Sequence, residues 1–464
     1  MSLASAKQLA LALVEPTVIF WLSGTIWLFL GAKVHLFSSL SARSLPWTST
    51  FGIPLGVGLI LRYAFELMTG NSLIADGLCL LCAAAAVPVA FMSTPDMLRT
   101  MRSAMTPRLL VFPALWLPLA YLCVVYPVID GDAKEIWFFH AKMIFYGKGV
   151  NSSAGFQDSG IIFSHPDYPK LVPVLAATIA NFAGSWNDYL PKFAVALVWA
   201  PLFCLAADLF IIKRWREALL LLVAAMSGAG FLLFNGYMDG PLAGWCAGLA
   251  GASWLIANRR DNGMGHRDMQ SLAAFSGLAL TMILNLKFEG LPLAIIMIAS
   301  LAFVFHKQRL PIAAMTLTAA PGLVTFLIWR FLCLKWNLSN DMASDPFSSW
   351  TRLKIRFSDQ SSWEMLHETF SIFLAPWWIW LPGGILITMA WIRNPRDPGL
   401  RHITGVYFSA LVYAAFMFVV YMTTHHDLAW HLKFSAIRTL LPAQTILMMA
   451  FGSLMLGQTE GHGR

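Results

Sequence analysis

The chain has 464 residues, 58% of them hydrophobic and 12% charged, with a formal net charge of +8. Soluble domains carry about a quarter charged residues, so half that share excludes an ordinary water-soluble protein. The positive balance does not mark a nucleic-acid binder either, because lysine and arginine gather in the cytoplasmic loops of membrane proteins and set their orientation.

Apolar stretches of membrane-spanning length recur from one end to the other. They predict an all-α, polytopic transmembrane bundle of about thirteen spans, at 9–32, 51–68, 72–93, 108–128, 191–212, 217–235, 240–257, 271–286, 290–305, 311–334, 374–392, 403–422 and 439–457. The first is too long for a cleavable signal and lacks a clear small-residue cleavage site. In the second, Arg62 and Glu66 are four apart and are expected to pair on one helix face inside the bundle, with Asp76 nearby. These three receive no catalytic role. "CLLC" at 79–82 has zinc or redox spacing but no second ligand pair. The six cysteines therefore read as small buried side chains. Segment 170–183 is too short to span and reads as a juxtamembrane or re-entrant helix.

Short basic connections at 96–108, 213–216, 259–268, 306–309 and 393–401 all fall on one side when the spans alternate. The positive-inside rule makes that side cytoplasmic, with the N-terminus outside and the C-terminus inside. The other side holds two long loops, 129–190 and 336–373, and three shorter polar connections, "NGYMDG", "LKFEG" and "TTHHDLAWHLKFSAIR". "NSS" (151–153) and "NLS" (337–339) fit the N-glycosylation pattern.

The stretch "DGDAKEIWFFHAKMIFYGKG" (130–149) crowds charge into an otherwise apolar chain. As a helix, 131–148 aligns Trp137, Phe138, Ala141, Ile144 and Phe145 in one apolar stripe, with Asp132 opposite and Glu135, His140 and Lys142 on the flanks. Such a helix lies along the membrane interface with its aromatic face in lipid. A surface anchor and a site-bearing helix both fit that pattern. Asp130 and Asp132 flank a glycine at the mouth of a span, where charge is expensive and usually functional. Downstream, "SHPDYPKLVP" (164–173) sets His165 and Asp167 on a proline-stiffened turn, which serves equally as a helix cap or as a rigid support for a site. Helix capping and pocket lining both account for Asp239, and a local ion pair and a cavity border both account for Lys287 and Glu289.

"GDAKEIWFFHAKMIFYGKG", followed by "HPDYPKLVPVLAATIANFAGSWNDYLPK", resembles the first extracytoplasmic loop of the GT-C integral-membrane glycosyltransferases, in particular their protein-mannosyltransferase and aminoarabinose-transferase group, the family 39 type. "GYMDGPLA", "LKFEG" and "DLAWHLKFSAIRTLLP" extend the likeness over roughly 130–460, whereas residues 1–107 match nothing in that family and stand as N-terminal spans of unknown role. The resemblance implies a catalytic region, 108–464, with a juxtamembrane helical layer at the extracytoplasmic face of a bacterial inner membrane. It implies transfer of a sugar, with inversion, from a polyprenyl-phosphate-linked donor to a lipid, glycan or protein acceptor, with membrane lipids as further partners.

Inverting transfer needs a base opposite the leaving phosphate. Asp132 matches the family's acidic position before "AKEIW", and Asp130, offset by two, is the alternative. Lys142 in "HAK" and Arg438 in "SAIR", with His431 in "WHL", are the implied phosphate contacts, because cations stabilise the charge that grows there. A straight helix would hold Lys142 about 15 Å from Asp132, at ~1.5 Å per residue. Either the helix bends or Lys142 guides the phosphate from a distance. His140, His165, Asp167, Tyr168, Asp239, Lys287 and Glu289 would shape the pocket. No cofactor is certain; a divalent cation, magnesium or manganese, held by Asp130 or Asp132 stays open. His425, His426, Asp427 and His431 have spacing compatible with zinc, but "WHL…S…R" favours phosphate or sugar contact. The rival readings are a transporter or flippase, which would show internal repeats and a polar midplane, an inactive scaffold, and a ligase with a diphosphate-linked donor.

Overall fold

Apolar runs in a membrane must satisfy their backbone groups internally, and here they do so as helices. The computed structural model describes residues 3–33, 45–104, 110–151, 154–258, 264–305, 311–338, 346–375 and 377–460, and no strand occurs among them. The basic stretch 306–309 and parts of 96–108 and 259–268 lie outside the described residues, as do residues 152–153 and 339 of the two glycosylation patterns.

Helices α1 (Leu3–Lys33) and α2 (Ile53–Thr69) pack antiparallel. They approach so closely that a Cβ on Gly24 would meet the carbonyl of Pro54, and one on Gly58 that of Phe20. Small residues permit this approach in a medium that offers no hydrophobic drive between helices. Next come α3 (Ser72–Ala104), α4 (Val111–Val125), α5 (Phe138–Gly147), α6 (Leu171–Ala183), α7 (Phe193–Ile211) and α8 (Trp215–Met226). The middle of the bundle is α9 (Asp239–Ala257), α10 (His266–Leu286), α11 (Gly290–Phe305) and α12 (Ile312–Lys335). Two amphipathic helices, α13 (Pro346–Ser358) and α14 (Gln360–Phe373), occupy the second long loop. The chain closes with α15 (Trp377–Arg393), α16 (Pro398–Thr423), the short α17 (Leu428–His431) and α18 (Ile437–Thr439), and α19 (Leu441–Glu460).

Among the described residues, eight helical segments are long and apolar enough to cross a membrane: Ala10–Gly31, Thr48–Thr69, Leu190–Ile211, Asp239–Ala257, His266–Leu286, Ile312–Lys335, Pro398–Thr423 and Leu428–Leu456. This is a membrane protein. The other five expected spans fall on shorter pieces: the Ser72–Pro88 part of α3, and α4, α8, α11 and α15 with 15, 12, 16 and 17 residues. A full crossing takes about 20 residues. Segment 171–183 is short, as expected from its sequence.

One end of the bundle holds the ends of α7 and α9 and the start of α16. There Asp208 accepts from the backbone N–H groups of Trp47 (3.0 Å) and Thr48 (2.7 Å), and Ser253 bonds His402 at 2.8 Å. The opposite end carries the loop 129–190 and α13–α14. Arg352 and Arg356 of α13 donate to the carbonyls of Thr423 (3.0 Å), Tyr421 (2.7 Å) and His426 (2.9 Å). The carbonyls of Tyr421 and Thr423 are among those that the end of α16 leaves free.

The helix built from 131–148 corrects one expectation. Its apolar stripe does not face lipid: Trp137, Phe138, Ala141 and Ile144 are buried in protein, beneath α6 and the turn at Tyr168, whose ring lies 5.7 Å from Trp137. The pattern that would suit a bilayer surface also suits a protein groove, and a groove was available.

The N-terminal helices hold this layer down. Arg62 pairs with Glu66 (2.9 Å) and with Asp76 (2.7 Å), and Glu66 also accepts from Ser72 Oγ (3.1 Å) and from the Val150 N–H (2.9 Å). Tyr63 accepts from the Lys170 N–H at 2.9 Å. Removing one partner of a fully buried pair leaves an uncompensated charge, at a cost of about 3–5 kcal/mol. Arg62→Met is accordingly expected to lower stability in detergent by that amount. Adding Glu66→Gln and Asp76→Asn is expected to recover most of it; unfolding curves that put the triple variant below Arg62→Met would contradict the network.

Candidate functional site

Charged side chains from four distant segments meet at the loop-bearing end in an alternating chain. Arg438 pairs with Asp132 and reaches Asp239 at 3.8 Å. Lys287 pairs with the other oxygen of Asp239 at 2.7 Å and with Glu289 at 3.1 Å. The order is Asp132, Arg438, Asp239, Lys287, Glu289. Its middle is closed off: Asp132 is 28% exposed, Asp239 2% and Glu289 16%.

Local backbone explains how each member is aimed. A π-helical turn, Ala133–Trp137, follows Asp132, and another, Leu432–Ala436, precedes Arg438. Such wider turns are rare and re-aim the side chains beside them. Asp239 is the first residue of α9, and its side chain accepts from Lys287 Nζ at 2.7 Å. Lys287 leaves α10 in an extended conformation, and Glu289 is the last residue before α11, so the break between two helices presents both inward. Tyr237, which sequence reasoning passed over within "NGYMDG", lies 4.7 Å beneath the Arg438 guanidinium, and its hydroxyl accepts from the Asp132 N–H at 3.2 Å. Gly236 makes this approach possible: its φ is +103°, and a Cβ there would stand 2.8 Å from the Phe138 ring. Position 236 therefore requires glycine.

The proline turn supplies the aromatic wall. Tyr168 stacks on His165 (4.7 Å) and on Phe288 (6.2 Å), with His165 held at φ +52°. Burial, and then the charges of Glu289, Asp167, Asp132 and Asp239, push the Tyr168 phenol well above its ordinary value, so it is a neutral donor facing carboxylates. For Lys287, burial alone would lower the ammonium, but Asp239 and Glu289 hold it above its usual range.

Other expected site residues lie apart. Lys142 is taken up by Asp188 at 3.0 Å, the two side chains being 40% and 47% exposed, and it does not join the ion-pair chain. Asp130 accepts from Tyr126 Oη at 3.4 Å through one oxygen, while the other is buried without a hydrogen-bond partner. His431 packs its ring 4.8 Å from Tyr421, and the Asp167 carbonyl accepts from Trp329 Nε1 at 2.9 Å. Among the described residues no three His, Cys, Asp or Glu side chains gather as a metal-holding group. Asp427 of the histidine-rich stretch caps α17 through the Trp430 N–H at 2.8 Å. A cation bridging Asp130 and Asp132 would have to compete with Arg438.

His140 belongs to a separate buried trio. Its Nε2 is 3.0 Å from Ser164 Oγ and its Nδ1 3.1 Å from Lys170 Nζ, and that Lys170 nitrogen sits between the Phe156 and Trp329 rings at 4.9 and 5.0 Å. Burial brings Lys170 down to about 7 from 10.5. Burial and then the charge of Lys170 push His140 well below 6.5. In each window the unfolded chain binds a proton that the folded chain does not, so stability rises with pH: up to 6.5 through His140, and from about 7 to 10.5 through Lys170. Lys170→Met removes the second window. The variant's stability relative to the parent is expected to fall between pH 7 and 10; a difference that stays constant over that range would show that the amine is not held neutral.

No family model matches the chain, and no curated protein or solved structure is similar to it at a level that carries an argument.

Proposed function

We propose that the chain is an inverting GT-C-type glycosyltransferase, which moves a sugar from a polyprenyl-phosphate donor to an acceptor hydroxyl at the extracytoplasmic face of a bacterial inner membrane. In this reading the five shorter apolar helices complete about thirteen crossings, and α5, α6, α13 and α14 form the outer layer. The basic connections face the cytoplasm. The observation that carries the reading is the contact between Asp132 and Arg438: a carboxylate able to act as base, and a cation able to receive a phosphate, at one point of the loop-bearing end.

The chemistry follows from the order of charges. In the resting protein Arg438 occupies Asp132. A donor phosphate draws Arg438 away, because a guanidinium binds a phosphate in a bidentate fork. Asp132 is then free to take the proton from the acceptor hydroxyl as its oxygen attacks the anomeric carbon. The bond from that carbon to the phosphate oxygen breaks, and its electron pair leaves with the lipid phosphate. Arg438 and Lys287, in a largely dry site, stabilise the charge gained. Tyr168 and His165 offer an aromatic face to the sugar, and Asp239 and Glu289 fix Lys287. Lys142, held by Asp188, is left to guide the phosphate from outside.

The test compares Asp132→Asn, Asp130→Asn and Arg438→Gln in membranes that carry the natural lipid-linked sugars, with consumption of the polyprenyl-phosphate sugars followed by mass spectrometry. Asp132→Asn is expected to lower turnover by about 10²–10⁴-fold, the range for loss of a general base, and Arg438→Gln by a comparable factor, while Asp130→Asn retains most activity. Native turnover in Asp132→Asn would remove the base from this account.

A further inference from the structure

In the proposed reaction Arg438 has to hold Asp132 at rest and release it when a donor arrives. A long side chain that loses its carboxylate is free to swing away, and bringing it back costs rotamer freedom. The contacts around the guanidinium limit that swing. Its Nε and Nη2 both donate to the Phe434 carbonyl, at 3.1 and 3.0 Å. Phe434 lies in the π-helical turn Leu432–Ala436, so the turn that precedes Arg438 also receives one edge of its guanidinium. The flat face lies 4.7 Å from the centre of the Tyr237 ring. With that edge and that face engaged, Nη1, which pairs with Asp132, is the part left for an arriving anion.

Tyr237 holds the other partner as well. Its hydroxyl accepts from the Asp132 N–H at 3.2 Å, at the start of a helical turn, where backbone donors lack partners within the helix. Gly131 leaves the room for this, since a Cβ there would stand 3.2 Å from the phenol oxygen, tighter than ordinary contact. The buried Asn235 aims the residue from its own side, its Oδ1 accepting from the Tyr237 N–H at 3.1 Å. Burial, and then the charge of Asp132, raise the phenol above its ordinary value, so it stays neutral beside the guanidinium. One side chain therefore touches both members of the outer ion pair, by its face and by its oxygen. Neither contact needs the pair to be closed.

We infer that Tyr237 is a positioning residue for the exchange at Arg438. Its ring keeps the guanidinium in plane and in reach while Nη1 passes from Asp132 to an anion. Its hydroxyl keeps the Asp132 backbone in place once the guanidinium has gone. The stack and the Phe434 carbonyl together make the exchange a shift of the guanidinium tip, without a new rotamer. This role rests on the transferase reading, and Tyr237 takes no part in the bond changes.

The experiment follows sugar transfer by the full chain in phosphatidylcholine nanodiscs, with lipid-linked sugars extracted from host membranes and supplied as a dilution series. Tyr237→Phe keeps the ring and loses the hydroxyl. It is expected to lower kcat about fivefold, the scale of one neutral hydrogen bond, with KM for the extract unchanged. Tyr237→Leu loses both contacts and is expected to raise that KM about tenfold as well, the scale of a partly desolvated cation–π contact. Tyr237→Trp returns a ring and is expected to recover KM but not kcat. Parent kinetics in all three variants, or one common loss of kcat with KM unmoved, overturns the assignment. A double-mutant cycle on unfolding, Tyr237→Leu with Arg438→Gln, is expected to depart from additivity by about two- to tenfold in the unfolding constant. Additivity there overturns it too. Asp132→Asn separates the two proposals. If it transfers sugar normally while positions 237 and 438 stay coupled, the base fails and the hold of Tyr237 on Arg438 stands. If it stops transfer while Tyr237→Leu keeps the parent kcat and KM, the positioning role fails and the transferase stands.

Discussion

Two cations and three carboxylates, alternating through Asp132, Arg438, Asp239, Lys287 and Glu289, are the constraint on which the architecture of the loop-bearing end depends. Desolvating any one of these charges alone would cost several kcal/mol, about the whole margin of a typical fold. Alternation makes the group tolerable, since each cation lies between two anions. It also ties four segments far apart in sequence to one point. The short helix breaks at 287–289, the start of α9 and the two π-helical turns all serve that convergence.

The chain of charges is least exposed at its middle, Asp239 and Lys287. Asp239 is closed off and doubly engaged, and Lys287 is held between two carboxylates, so this inner pair is fixed. Asp132 and Arg438, at 28% and 18% exposure, are more open than the inner pair, and nearby water screens their attraction in part. The outer pair can therefore exchange partners at small cost while the inner pair keeps its place. A site with one rigid half and one exchangeable half can admit an anion without refolding. The N-terminal helices contribute at one remove: Glu66 fixes the chain at Val150, and Tyr63 fixes it at Lys170, on either side of the turn that carries Tyr168.

Much of this was legible in the sequence, for a physical reason. Charge is costly in an apolar chain, so Asp132, Asp239, Lys287, Glu289 and Arg438 stood out, and their clustering on one side followed from counting spans. Partner choice was not legible. Lys142 lies in the same motif as Asp132 and is the nearer cation along the chain, yet it turns to Asp188, while Arg438, some three hundred positions away, makes the contact. The stripe on α5 was correctly periodic, but periodicity cannot tell whether lipid or protein covers an apolar face. Tyr237 and Lys170 carried no signal beyond their type, because their importance comes from what folds over them. Span counting reached its limit where helices such as α8 and α11 run short.

The most direct test of the central claim is a double-mutant cycle on unfolding free energy, pairing Asp132→Asn with Arg438→Gln and, as a control, Asp132→Asn with Lys142→Gln. The ion-pair chain predicts a coupling on the order of 1 kcal/mol for the first pair and additivity within about 0.3–0.5 kcal/mol for the second. Additivity between positions 132 and 438, or coupling between 132 and 142, would contradict the arrangement described.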